Sequence, residues 1–130
     1  MIADTSFIID IMEQLPEALQ KATELANRQE RMIITTITVF ELWSGIAKSS
    51  KPEQEKRKVE EMLQFQQTLG FDQESAVEGG KINGLLQKER MMIDQEDCMI
   101  AGIAKHHREI IVTRNIKHFG RIKDLKLERY

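Results

Sequence analysis

Apolar positions along the chain follow two rhythms in turn, one with helical spacing and one with the short, β-branched density of buried strands. Ile2-Ala3 opens a short strand that runs into the polar triplet Asp4-Thr5-Ser6. Phe7, Ile8, Ile9, Ile11 and Met12 follow as a short buried helix. Pro16 starts a second helix, where its missing N–H costs nothing, and Ala18, Leu19, Ala22, Leu25 and Ala26 give that helix an apolar stripe. Residues 32–36 (Met-Ile-Ile-Thr-Thr) read as a buried strand. A third helix is expected from about Thr38, carrying Glu41, Leu42, Gly45 and Ile46, with Gly45 placed to let another backbone approach.

The second half repeats the alternation. Ser50 and Glu53 have capping-box spacing, with Pro52 in the first turn of a charged helix that buries Val59, Met62, Leu63 and Phe65. Leu69-Gly70-Phe71 reads as a short strand. Ser75 and Glu78 form a second capping box, ahead of a helix bearing Val77, Ile82, Leu85 and Leu86, whose Gly79, Gly80 and Gly84 permit close packing. Asp94 caps a helix that is apolar nearly all round (Cys98, Met99, Ile100, Ala101, Ile103, Ala104) and therefore central. Ile110 to Thr113 make a strong strand ending at Arg114-Asn115, residues 116–122 a turn or short helix, and Leu125–Leu127 a last edge strand. Strands alternating with helices point to an α/β fold with a parallel sheet. With no linker, repeat or low-complexity tract in 130 residues, one domain spanning 1–130 is expected.

Composition narrows the class. A hydrophobic fraction of 41% is enough for a core and argues against disorder. The single cysteine makes neither an internal disulfide nor a thiolate zinc site, and no apolar run reaches the length of a membrane span. With no basic-then-apolar leader, the expectation is a cytoplasmic protein that does not engage a membrane. The net charge of −2 is unevenly spread. Residues 1–102 hold 11 basic and 18 acidic side chains, whereas residues 103–130 hold 8 basic and 3 acidic. A basic end on an acidic chain suits a polyanionic partner, and equally a solvated surface.

Ligands of open parallel sheets bind beyond the carboxyl ends of the strands. Asp4 follows the first strand, Glu41 lies one helical turn past the second, Asn115 follows the last strong strand, and Asp97 lies in the first turn of the central helix. Each has a local alternative. Asp4 suits a helix cap, Glu41 a capping box with Thr38, Asp97 a helix dipole, and Asn115 a turn. Together they place three carboxylates at one sheet end, where mutual repulsion favours a divalent cation. Oxygen donors suit Mg²⁺ or Mn²⁺. Such an ion activates water for phosphodiester hydrolysis. No glycine-rich phosphate loop follows a strand, and Cys98 has no partner base.

Four segments in this order resemble the PIN-domain ribonucleases of the VapC toxin type. They are Met1 to Asp10 (Met-Ile-Ala-Asp-Thr-Ser-Phe-Ile-Ile-Asp), Thr38-Val39-Phe40-Glu41-Leu42-Trp43-Ser44-Gly45, Asp97-Cys98-Met99-Ile100-Ala101-Gly102, and Ile111-Val112-Thr113-Arg114-Asn115-Ile116-Lys117-His118-Phe119. The resemblance implies a three-layer α/β/α sandwich with a parallel sheet of four to five strands. It implies Mg²⁺- or Mn²⁺-dependent RNA cleavage, with Asp4, Glu41 and Asp97 as metal ligands and Asn115 at a fourth catalytic position where many relatives carry Asp. It further implies a cognate antitoxin and a homodimer, for which Trp43 and the apolar residues of 50–69 are candidate contacts. Asp10 is expected to be structural, and Asp94 a helix cap before a helper ligand. Arg114, Lys117, Arg121 and Lys123 are the candidate RNA contacts. A phosphatase of the two-aspartate type is disfavoured by Ser6, which stands where its second Asp belongs. The remaining alternative is a PIN-like module that binds protein or RNA without cutting.

Overall fold

The computed structural model describes all 130 residues and contains five strands and seven helices. They run β1 (Ile2–Ala3), α1 (Thr5–Met12), α2 (Pro16–Asn27), β2 (Ile33–Thr35), α3 (Thr36–Lys48), α4 (Pro52–Leu63), β3 (Gln67–Leu69), α5 (Gln73–Lys88), α6 (Gln95–His107), β4 (Ile111–Thr113), α7 (Ile116–Phe119) and β5 (Leu127–Arg129). All strand pairs are parallel, in the order β3-β2-β1-β4-β5. The first strand is thus the centre of the sheet, with Ile2 opposite both Ile33 and Ile111.

Two-residue alternation divides the core between the sheet's faces. Ile2, Ile33 and Ile111 pack with Ile82, Leu86 and the α6 residues Cys98, Ile100 and Ile103. Ala3, Ile34 and Val112 pack on the other side with Phe7, Ile8, Leu25, Leu42, Ile46 and Val59. This is the expected three-layer α/β/α sandwich, with a sheet of five strands. The pairing of α5 with α6 is very close. A Cβ at Gly102 would stand 2.5 Å from the Ser75 carbonyl oxygen and 2.6 Å from the Gly79 nitrogen.

Several local expectations are corrected. α3 starts at Thr36 because Thr35 caps it, its hydroxyl accepting from the Thr38 N–H at 3.1 Å, so Thr38 and Glu41 are not a capping box. α5 starts at Gln73 because Asp72 accepts the Ser75 N–H at 2.9 Å, which puts Ser75 inside the first turn and dissolves the second box. Lys51, without a side-chain cap, is the N-cap of α4, and Ser49 takes the Lys51 N–H. Asp94 is the N-cap residue of α6, yet its side chain caps nothing. Gly45, Gly80 and Gly84 face open space, so the close approaches belong to Gly79 and Gly102. Phe65, Val77 and Leu85 are exposed. β3 and β5 lie two residues from their expected positions, at Gln67–Leu69 and Leu127–Arg129. Both are edge strands whose side chains are partly or wholly exposed, so neither has an apolar run to mark it. No helix is long and apolar enough to cross a membrane.

Candidate active site

Asp4 follows the central strand and caps α1 through its Oδ1, which accepts the Phe7 N–H at 2.7 Å. Its other oxygen, Oδ2, accepts the hydroxyl of Thr113 at the end of β4. The same Thr113 hydroxyl accepts the Asn115 N–H at 2.8 Å, so one side chain fixes both the first acid and the turn after β4. Asp4 is only 3% exposed. Burial is the main reason its pKa is raised to about 6. The hydrogen bonds from Thr113 and Phe7 pull it down, and the charges of Asp97 and Asp10 push it up.

Glu41 projects from the second turn of α3. Its Oε1 accepts the Thr5 hydroxyl at 2.7 Å, and Thr38 Oγ1 lies 3.1 Å from that hydroxyl. Desolvation raises the Glu41 pKa against this hydrogen bond, with repulsion from Asp97, Glu96 and Asp94 adding to it. Asp97 lies in the first turn of α6. Its Oδ2 is 3.4 Å from Asn115 Nδ2 and 3.2 Å from His118 Nδ1. Burial again raises the pKa, His118 lowers it, and Asp94 and Glu96 raise it.

The three carboxylates therefore share a design. Each has at least one oxygen held by a donor from another element, and each is partly desolvated within the field of other acids. Glu41 Oε2 and Asp97 Oδ1 accept no protein hydrogen bond. An all-oxygen set with such unmet negative charge fits a hard divalent cation. At this end Asp94, Asp97 and His118 also place their ligand atoms within 4.8 Å of one another. Sequence reasoning missed His118, counting it only with the basic tail. The signal was its position three residues after Asn115, on the same face of a single helical turn.

The four basic candidates do not form one surface. Arg114 is half exposed and pairs with the buried Asp10 at 2.7 Å. Asp10 Oδ2 also accepts the Tyr130 hydroxyl at 2.8 Å, and the Tyr130 ring lies 4.5 Å from that of Phe7, so Asp10 ties the residue after β5 to α1 as a structural residue. Lys117 is exposed beside His118. Arg121 donates to the Met92 carbonyl at 2.9 Å, and with Lys123 it lines a cavity of about 280 Å³ that includes Glu78, Ile82 and Leu86. Cys98 is buried with its pKa pushed up, which leaves it inert as a nucleophile.

Residues 1–125 match the PIN domain. The chain belongs to the PIN-domain family. This PIN domain is 31% identical over 125 residues to the tRNA(fMet)-specific endonuclease VapC of Salmonella typhimurium, covering 96% of this chain and 93% of the relative. It is 28% identical to Ribonuclease VapC2 of Rickettsia felis, over 98% of this chain and 95% of that one. Among solved structures, it is similar to VapBC2 from Rickettsia felis bound to a promoter DNA fragment, with a TM-score of 0.89, 27% identity and coverage of 99% and 97% of the two chains. It is also similar to DNA-bound VapBC from Salmonella typhimurium, with a TM-score of 0.87, 30% identity and coverage of 98% and 96%.

Proposed function

We propose that this PIN-domain protein is a divalent-metal-dependent endoribonuclease, the toxin of a toxin–antitoxin pair, with Asp4, Glu41 and Asp97 as the metal ligands and Asn115 beside them. One observation carries the assignment of the site. Three carboxylates from three separate segments are brought to one end of the sheet, each desolvated and each oriented by a donor from another element. Asp4 also caps α1, but charge repulsion opposes bringing Glu41 and Asp97 to the same end.

Mg²⁺ or Mn²⁺ is the expected ion. When bound, it supplies a water nucleophile at neutral pH and stabilises charge on the phosphoryl oxygens. The chain's own part is positional. Thr113 holds the Asp4 rotamer, Thr5 holds that of Glu41, and Asn115 holds Asp97, whose Oδ2 faces His118 Nδ1. Glu41, whose Oε2 accepts no protein hydrogen bond, binds the ion or orients the attacking water. Asn115 supplies an amide donor where an acid would add a further negative charge. Lys117, exposed beside His118, and Arg114, which would have to share its pairing with Asp10, are the proposed contacts to the RNA backbone. Arg121 and Lys123 sit farther out, along the α5 cavity. The named relatives are VapC ribonucleases, and the solved neighbours are VapBC assemblies. A cognate antitoxin and a homodimer are accordingly the proposed partners. Trp43 and the adjoining face of α4 form an exposed partly apolar surface suited to such a contact.

The test is cleavage of structured RNAs by purified, antitoxin-free protein with Mg²⁺ or Mn²⁺, alongside EDTA and the Asp4→Asn and Asp97→Asn variants. Metal-dependent cleavage leaving 5′-phosphate and 3′-hydroxyl ends is expected, with a loss of orders of magnitude in either variant. Cyclic 2′,3′-phosphate ends, or full activity in a variant, would sink the assignment. Metal binding with no turnover across the RNA panel would favour the non-cutting binding module.

A further inference from the structure

β4 ends at Thr113, and the chain then folds into the one-turn helix α7, whose geometry is over-determined. Asn115 is held by the Thr113 hydroxyl, the His118 and Phe119 N–H groups both return to the Asn115 carbonyl, and the Phe119 ring is fully buried. His118 therefore has little freedom in where its side chain leaves the backbone. It projects to the acidic end, where Nδ1 stands 3.2 Å from Asp97 Oδ2 and, with Asp94, completes the donor cluster.

The 3.2 Å contact admits two readings. In one, His118 only donates a hydrogen bond to Asp97. In the other, the two atoms are adjacent ligands. Neighbouring ligands of an octahedral ion with bonds of about 2.1–2.2 Å lie roughly 3.0–3.1 Å apart. The observed separation is close to that edge, so joint coordination asks for almost no rearrangement. The third donor, Asp94, favours the second reading. It stands three residues before Asp97 on the same helical turn, which brings the two carboxylates together, and with no cap hydrogen bond and no ion pair of its own it is free to act as a further ligand.

Resting on the metal centre proposed above, we infer that His118 Nδ1 is itself a ligand of that centre and that this nitrogen biases it toward a first-row transition cation such as Mn²⁺ over Mg²⁺. Mg²⁺ keeps oxygen ligands and sheds water reluctantly. Mixed nitrogen–oxygen sites favour the later divalent cations, and imidazole is the ligand that separates them from Mg²⁺. The coordinating form is the neutral imidazole with its proton on Nε2.

Untagged protein, stripped with EDTA and desalted, would be titrated with Mn²⁺ by electron paramagnetic resonance and then challenged with Mg²⁺. Pulsed measurements would look for ¹⁴N coupling to the bound ion. Wild type is expected to show directly coordinated ¹⁴N and to hold Mn²⁺ against a large excess of Mg²⁺. His118→Ala and His118→Gln should lose the ¹⁴N signal and weaken Mn²⁺ binding by roughly tenfold or more, while Mg²⁺ affinity stays within about threefold. Thermal melts of the metal-free variants separate misfolding from ligand loss. A wild-type ion without ¹⁴N coupling, or His118 variants with an unchanged Mn²⁺-to-Mg²⁺ preference, would overturn the inference and leave the carboxylate centre standing. Mn²⁺ binding unaffected by Asp97→Asn, or none in wild type, would overturn the centre itself and this inference with it.

Discussion

Replacing Asp4 with Asn should make the metal-free protein more stable, even as it removes the reaction. Asp4 has its pKa raised from 3.8 to about 6, principally by burial. The folded state therefore binds more protons than the unfolded state between those two values, and stability falls as pH rises through that window. The full cost of holding the ionised carboxylate is about 3 kcal/mol, since one pKa unit corresponds to 1.36 kcal/mol. It is present in full above about pH 6, roughly half remains near pH 5, and it vanishes below the unfolded pKa. Asn keeps the Phe7 N–H contact through its oxygen and can donate its NH₂ to Thr113 Oγ1, but the Thr113 hydroxyl proton then loses its carboxylate acceptor, which offsets part of the gain. With an unfolding entropy of about 2.1 cal/mol/K per residue, a gain of this size raises Tm by up to about 10 °C in a domain this long. Melts of EDTA-treated wild type and Asp4→Asn, followed by circular dichroism at pH 7.5 and pH 5, would read this directly. Asn should melt higher at pH 7.5, with the gap narrowing at pH 5. Adding Mn²⁺ should raise wild type alone, by about 2.7 kcal/mol at a hundredfold excess over Kd. A variant no more stable than wild type at pH 7.5, or a gap that ignores pH, would refute the claim that a desolvated carboxylate is being held ionised for the sake of a cation.

Two other substitutions probe what surrounds the acids. Thr113→Val removes the donor to Asp4 and the acceptor for the Asn115 N–H, so metal affinity should fall about 10–100-fold. The acidic limb of the pH–activity profile should also move upward, since the lost bond was lowering the Asp4 pKa. Gly102→Ala places a Cβ against the α5 backbone, where nothing yields without moving the helix. The expected loss is about 1–3 kcal/mol, read as a lowered urea midpoint, whereas Gly45→Ala, facing open space, should be neutral or slightly stabilising.

What was legible in the sequence follows from where information is local. The central strands announce themselves because Ile2, Ile33, Ile34, Ile111 and Val112 are buried whichever face they point to. Asp4, Glu41 and Asp97 could be placed because each sits a fixed step from a recognisable strand or helix start. Cap positions failed where two polar residues competed within one turn, as Asp72 did with Ser75, a contest decided by tertiary geometry. Glycine packing failed for the same reason, since spacing along a helix does not say which face a neighbour approaches. His118 was hidden by its chemistry, for an imidazole in a basic tail looks like surface charge until β4 and α6 are brought side by side. The Asp10–Tyr130–Arg114 network spans 120 residues in sequence and has no local signal at all.

The place of β1 at the centre of the sheet also sets a timetable for synthesis. Asp4 is made well before its partner, and the hydroxyl that fixes its rotamer arrives 109 positions later. At ordinary elongation rates of about 5–20 residues per second, that is a wait of roughly 5–20 s. Throughout it, β1 lacks its β4 neighbour, and Asp97, when it is made, precedes the Asn115 and His118 that face it. A nuclease aimed at RNA is thus made beside a ribosome with its centre unassembled. With the proposed centre, RNA cleavage should begin only once β4 has closed onto β1.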